Sequence, residues 1–512
     1  MANHLFDSIC NSIKSPDAVF IETDDGTTWT YRDMLECSAR IANAIVVCGV
    51  DPGDRVVVQV PKSAEALMLY LACVRAGAIY LPLNTAYTAV ELEYFISDAA
   101  PKLVITSPDA AEHLKNCVFQ AGARLETLGA NGEGTLLEFT GDQPGAFVDA
   151  RRNPDDLAAI LYTSGTTGRS KGAMLSHDNL LSNVLALQER WHFSSADRLI
   201  HALPLFHAHG LFVAANLTLL SGSRMDLLSK FDVDRIFAVL PRATIMMGVP
   251  TFYTRLLQDA RLTAESTRHI RVFISGSAPL LADTHSSFFE RTGQAILERY
   301  GMTETNMITS NPYDGARVPG SVGYALPGVS VRVTDPTTGA QLAAGEPGMI
   351  EVKGPNVFKG YWNLPEKTKE EFRDDGYFIT GDIGIMEPDG RLAIIGRNKD
   401  LIISGGYNVY PSEVENELNA IEGIVESAVI GIPHRDLGEA VTAVVVREPG
   451  AKVDAAAIAT GIERRLARFK QPKRVIFLDL LPRNAMGKVQ KNVLRDTYRN
   501  LFVENGSEMQ AV

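Results

Sequence analysis

Eleven consecutive residues, Tyr162-Thr163-Ser164-Gly165-Thr166-Thr167-Gly168-Arg169-Ser170-Lys171-Gly172, hold five Ser/Thr hydroxyls, three glycines and two cations. That mixture suits a polyanion. Glycine lets backbone amides approach closely, hydroxyl groups donate to phosphate oxygens, and the cations offset charge. The same composition also fits a plain surface connection, so by itself the stretch leaves both readings open. It is not the familiar P-loop, which would need Gly at Ser170 and Ser or Thr at Gly172. A kinase or ATPase of that class is disfavoured.

Three further polar stretches follow apolar, strand-like runs. They are His207-Ala208-His209-Gly210, Gly276-Ser277-Ala278-Pro279 and Gly301-Met302-Thr303-Glu304-Thr305. In open α/β sheets, ligands bind at the carboxyl ends of strands, so three such tips beside the first loop point to a site. Taken alone, a Thr-Glu pair after a strand reads as a helix start, and a lysine such as Lys488 in an Asn/Gly-rich loop reads as a solvated cation.

The elements that must position these residues alternate. Helix-period runs (Met34 to Ile45, Ala64 to Ala76, Ala89 to Ala99) separate apolar strands such as Arg55-Val60, Ala78-Leu83 and Leu103-Thr106. That order predicts mostly parallel sheets with helices on both faces. Residues from about 119 to 155 read as irregular. From Gly320 to about Arg397, short alternating runs such as Val329 to Val333 predict a small β-rich subdomain. Gly396 to Asp400 reads as a linker, and beyond it a compact α+β unit opens on a helix with a Ser412/Glu415 capping box and includes a helix from Ala455 to Arg468. The expected division is 1–397 and 398–512.

At 512 residues the chain is too long for one ordinary core. A net charge of −12 argues against broad nucleic-acid binding. No apolar run reaches membrane-span length, the first residues lack a signal-peptide pattern, and five cysteines without metal spacing read as reduced thiols. The expectation is a cytoplasmic protein with neither membrane nor nucleic acid as partner.

Together these stretches resemble the adenylate-forming superfamily of acyl-CoA synthetases, luciferases and peptide-synthetase adenylation domains, over about residues 20 to 495. Six motifs fall in that family's order: Tyr162 to Gly172, Tyr300 to Glu304, Tyr377 to Asp382, Gly396 to Asp400, Ile403 to Pro411 and Asn484 to Lys488. The one departure noted is Ser170, where the family usually has Pro.

The resemblance implies a large N-terminal domain of layered α/β sheets with a small β-rich subdomain, and a small mobile α+β C-terminal domain. It also implies a two-step reaction. A carboxylate attacks the α-phosphate of Mg-ATP to give an acyl-adenylate, then a thiol attacks the acyl carbon. Thr163, Ser164, Gly165, Thr166, Thr167, Gly168 and Lys171 would hold the β- and γ-phosphates. Thr303 would meet the α-phosphate and Glu304 would hold Mg²⁺. Gly276, Ser277, Ala278 and Tyr300 would surround the adenine, Gly301 and Met302 would belong to the nucleotide site, while Asp382 and Arg397 would hold the ribose. Lys488 would be the adenylation catalyst, with Lys491 as fallback, and a lysine acetyltransferase acting on Lys488 is a further expectation. Lys399 would be the hinge between half-reactions, and Gly405 and Gly406 would leave room for the pantetheine arm of CoA.

The acid pocket in relatives involves the region of His207, the Val249-Pro250-Thr251 helix and the stretch Gly276 to Pro279. Arg255 on that helix suggests a substrate with a second carboxylate, unless it faces solvent. That feature is similar to malonyl-CoA synthetases, with malonate expected and methylmalonate possible. Succinate, a short-chain acid, a stand-alone adenylating enzyme serving a carrier protein, and a luciferase-like oxygenase are the competing readings. Coenzyme A is favoured as the thiol because no carrier domain follows Lys488.

Overall fold

Parallel strands alternating with helices build the first of two units in the computed structural model, which describes residues 3–141, 143–163, 170–484 and 486–502. This unit comprises the chain up to Val331 together with Val352–Phe378. One sheet of six strands runs Arg124–Thr127, Leu103–Thr106, Arg55–Gln59, Ile79–Pro82, Leu157–Thr163 and Lys171–Ser176. All neighbours pair in parallel except the last two, which form a hairpin flanking the phosphate-type loop. The helix Ala64–Ala76 is buried at nearly every position, because a helix serving a two-sided parallel layer has no wet face.

A second sheet of nine strands is parallel at its centre, through Leu297–Met302, Val272–Ser275, Ile245–Gly248, Arg198–His201, Arg224–Leu227 and Val19–Thr23. Antiparallel strands close both edges. Capping sets where the helices begin. Thr30 with Asp33 and Ser176 with Asn179 form reciprocal boxes, each contributing about 1 kcal/mol. Asn179 also donates to the carbonyls of Pro355 and Val357, and Asn356 donates to that of Thr305. These bonds fasten the segment carrying Tyr361 against the turn that carries Glu304.

The second unit comprises Arg332–Glu351 and the chain from Ile379 onward. It contains a four-stranded sheet, ordered Ser330–Thr334, Pro347–Lys353, Phe378–Met386 and Leu392–Arg397, which accounts for the short β pattern after Gly320. A five-stranded sheet follows, centred on the long hairpin Ile424–His434 and Gly438–Arg447. Val414, Leu418, Ile458 and Ile462 pack on one face of it and Leu494 on the other. The α/β class with a large first and a small second part is the one expected.

Local differences have simple causes. The stretch near 119–155 contains strand Arg124–Thr127 and helix Thr135–Thr140, both too short to show a period. Helix Pro411–Asn419 starts on proline, and Ser412 donates to the Ile395 carbonyl instead of closing a capping box. The later helix ends at Ile462, short of Arg468. Among the described residues no helix is long and apolar enough to cross a membrane.

Candidate active site

The carboxyl ends of the central strands in the nine-stranded sheet bring several of the expected site residues together. Strand Leu297–Met302 turns at Thr303 and Glu304 into the antiparallel strand Asn306–Ser310, so this pair sits in a hairpin turn and starts no helix. Arg299 projects from that strand and is only 3 % exposed. Its Nε and Nη2 are buried without a hydrogen-bond partner among the described residues. The guanidinium lies against Gly276, where an added Cβ would come within 2.4 Å of Cζ. Burial lowers the Arg299 pKa to about 9, with Tyr253 and Glu298 opposing. Glu298 leaves the strand on the opposite face and accepts from the Leu280 N–H at 3.2 Å, so it does not pair with the guanidinium.

Around Arg299 stand polar groups from two loops. Ser277 holds a left-handed backbone at φ 71°, and its hydroxyl meets His209 Nδ1 at 3.2 Å. His209 begins a π-helical turn, His209–Ala215, and its Nε2 is buried without a partner among the described residues. The His209 backbone N–H donates to His207 Nδ1 at 3.2 Å. Burial, then the Arg299 charge, brings the His207 pKa down to about 4, so His207 is neutral at pH 7. A buried cation with unmet donors beside neutral imidazoles can accept one small anion.

Arg255 is not brought to this cluster. Helix Pro250–Leu257 buries Tyr253 and Leu256, which turns Arg255 outward, exposed and 6.0 Å above the Phe231 ring. Arg299, not Arg255, is the buried cation of this cluster. Its signal was in the sequence: two adjacent charges, Glu298 and Arg299, interrupt a buried strand just before Tyr300. His209, named in the sequence only as part of its stretch, lies beside the expected His207.

At the phosphate side, Ser164, Gly165, Thr166, Thr167 and Gly168 lie outside the described residues. Thr163 closes one strand of the hairpin, and its hydroxyl lies 3.5 Å from the Lys171 carbonyl. Lys171 Nζ is 3.0 Å from Glu371 Oε1 and 4.2 Å from the Tyr361 ring centroid. The Tyr361 hydroxyl lies 2.7 Å from Glu371 Oε2 and 3.1 Å from Glu304 Oε1. Glu304 is thus joined to the lysine through one tyrosine. Tyr300 is buried, and Gly301, Met302 and Thr303 are half-buried at the same strand end.

In the second unit the expected residues also gather. Asp382 and Arg397 are register partners on adjacent strands, with an ion pair of 2.8 Å. Asn484 shapes the lysine loop: its Oδ1 accepts from the Met486 and Lys488 N–H groups. Burial, then the charge of Arg397, lowers the Lys488 pKa to about 8, with Asp382, Lys399 and Asp400 also in range. Lys491 is otherwise engaged, 2.6 Å from Glu415. That pairing leaves Lys488 as the available ammonium of the two. Lys399 is exposed in the tight turn Asn398–Asp400. Gly405 and Gly406 both have positive φ, as a two-residue hairpin turn between Ile402–Ser404 and Tyr407–Val409 requires.

Residues 11–362 match the AMP-binding enzyme family, and residues 413–488 match the AMP-binding enzyme C-terminal domain. The chain belongs to the AMP-binding enzyme family. Within it, a feruloyl-CoA synthase from Amycolatopsis sp is 38% identical, covering 94% of this chain and 96% of its own length. A malonate–CoA ligase from Arabidopsis thaliana is 34% identical, covering 98% and 91%. The crystal structure of ATP-bound MatB from Rhodopseudomonas palustris is 59% identical, covers 98% of this chain and 100% of that one, and superposes with a TM-score of 0.97. The AMP-binding segment contains Lys171, Gly276, Arg299 and Glu304, and Lys488 is the last residue of the matched C-terminal segment.

Proposed function

We propose that the protein joins malonate to coenzyme A, with ATP cleaved to AMP and pyrophosphate through a malonyl-adenylate. The observation that carries this reading is Arg299, a buried guanidinium with two unmet donors against Gly276. An acid with one carboxylate, spent on the α-phosphate, leaves that cation unpaired at a cost of several kcal/mol. A second carboxylate satisfies it. Malonate–CoA ligases from Arabidopsis thaliana and Mus musculus, each 34% identical, support the same reading. The aromatic tail of a ferulate-type acid would leave Arg299 unanswered, so the feruloyl-CoA synthase likeness is weighed below it. Methylmalonate fits the same charge pattern; succinate is one methylene longer.

In the first step a malonate oxygen attacks the α-phosphorus, the bond to the bridging oxygen breaks, and pyrophosphate leaves. In the second the CoA sulfur attacks the acyl carbon, its proton goes to solvent, and AMP leaves. Both reactants of the first step are anionic, so charge must be screened where it develops. We assign Lys488 to that task, Lys171 with the loop Thr163 to Gly168 to the β- and γ-phosphates, and Thr303 to the α-phosphate. Gly276 to Ala278 and Tyr300 to Met302 would face the adenine. Asp382, a carboxylate able to accept two hydroxyls, would take the ribose with Arg397. Arg299, with His207 beside it, would hold the second carboxylate of the acid. Gly405 and Gly406 would admit the pantetheine arm.

Mg²⁺ would be held by Glu304 together with phosphate oxygens. Among the described residues no three His, Cys, Asp or Glu side chains form a metal-sized group. One carboxylate is what an ion carried in by a triphosphate needs, since Mg²⁺ keeps most of its waters. When bound, it would neutralise phosphate charge. All five cysteines are free thiols, which fits a cytoplasmic setting.

The test is a panel of acids with ATP and CoA, read by AMP release and by the thioester formed. Malonate should lead. Acetate, butyrate or ferulate exceeding malonate in kcat/KM would reject the assignment.

A further inference from the structure

Glu371 has no part in the assignments above, yet it is the anion nearest the one described cation of the phosphate loop. It caps the C-terminus of helix Pro365–Glu370, where the helix dipole disfavours a negative charge. Three donors hold it there: Lys171 at 3.0 Å, Lys367 at 3.2 Å and the Tyr361 hydroxyl at 2.7 Å. Burial pushes its carboxyl up, but the bonds to Tyr361 and Lys171 outweigh that and keep it below the ordinary glutamate range. Tyr361 has a single proton and faces two carboxylates, Glu371 at 2.7 Å and Glu304 at 3.1 Å. The shorter contact takes the proton. Glu371 is therefore the acid that holds both the tyrosine hydroxyl and the lysine.

We propose that Glu371 is a positioning residue that competes with the triphosphate for Lys171, weakening the grip on ATP and easing the departure of pyrophosphate. The inference rests on the adenylate-forming reading of Lys171. Its physical basis is plain: a phosphate oxygen reaching Lys171 Nζ must displace or share the Glu371 carboxylate, and two anions on one ammonium repel. A ligand that must be bound as ATP and released as pyrophosphate gains from a counter-ion that takes the lysine back.

The test uses titration calorimetry of the full chain with magnesium pyrophosphate and with MgATP, in the absence of acid and CoA. Glu371→Gln keeps the shape and an acceptor for Tyr361 but removes the charge. Both dissociation constants should fall by about fivefold. In turnover, inhibition by pyrophosphate should strengthen in the same ratio. Lys171→Ala should weaken both ligands, and Glu371→Gln should add nothing in that background, because the effect passes through the lysine. Glu370→Gln removes a neighbouring charge whose side chain is 67% exposed and should change neither constant. Glu371→Asp, which keeps the charge, should stay within about twofold of the unsubstituted protein and covers the case of a poorly folded Gln variant. Weaker or unchanged pyrophosphate binding by Glu371→Gln overturns the proposal, as does an equal shift in the Lys171→Ala background or in Glu370→Gln. Because no acid is present, a protein inactive toward malonate still returns an answer. A chain that binds neither ligand ends both this inference and the reading beneath it.

Discussion

The guanidinium of Arg299 rests on the backbone of Gly276, with only hydrogen where a Cβ would lie 2.4 Å from Cζ. The two residues meet because the strands that bear them, Val272–Ser275 and Leu297–Met302, are parallel neighbours with Ser275 opposite Glu298. Gly276→Ala must therefore move the arginine or the loop. Gly276 is also assigned to the adenine, so activity with both acids should fall, but KM for malonate should rise about tenfold or more beyond the change seen with acetate. Steady-state kinetics on both acids measures it, and an equal loss for both would show that the contact only shapes the fold.

Lys488 carries a pH prediction. Its ammonium titrates at about 8, below the ordinary lysine value. The charged form lies on the acid side, so pyrophosphate release in the first half-reaction should decline as pH rises through about 8. Lys488→Arg should lower the rate and remove that limb, because guanidinium does not titrate there. Lys488→Ala should abolish adenylate formation while sparing thioester formation from supplied malonyl-adenylate. Lys491→Ala, which breaks the pair with Glu415, should reduce stability more than chemistry.

Asp400 is tied to Arg495 at 2.8 Å, whereas Lys399 just before it is exposed. Backbone rotation at this turn is thus most easily taken up at Lys399. We expect Lys399→Pro, which fixes φ, to impair thioester formation selectively. Single-turnover measurement of each half-reaction decides the point, equal losses being the contrary outcome.

Acid should destabilise the protein through its buried histidines. Burial lowers the His177 pKa to about 4, and neither ring nitrogen of this residue has a partner among the described residues. In the unfolded chain the ring titrates near 6.5. Between these values the unfolded state binds more protons, so stability falls as pH drops through that window, by about 3 kcal/mol from this residue. His177→Leu should flatten that part of the Tm–pH curve. A curve with unchanged slope would assign the acid sensitivity to other groups.

Much was legible in the sequence because it depends on local order. Alternating apolar periods specified the layered α/β class, and the phosphate-type loop, Tyr300 to Glu304, Asp382 and Lys488 were recognisable as ordered stretches with characteristic residue types. The resemblance also suggested a cation for a second carboxylate and placed it at Arg255, but the sequence could not say which arginine is buried. Arg255 and Arg299 are equally charged in a string of letters. Only the packing of helix Pro250–Leu257, which buries Tyr253 and Leu256, turns Arg255 to solvent, and only strand pairing sets Arg299 against Gly276. The choice between Lys488 and Lys491 likewise rests on Glu415, a residue more than seventy positions away in sequence. The contact of Lys171 with Glu371 also joins residues two hundred positions apart. Residue type and periodicity determine which chemistry the chain can carry; which charges lose their water and which find a counter-ion is decided by contacts between distant segments.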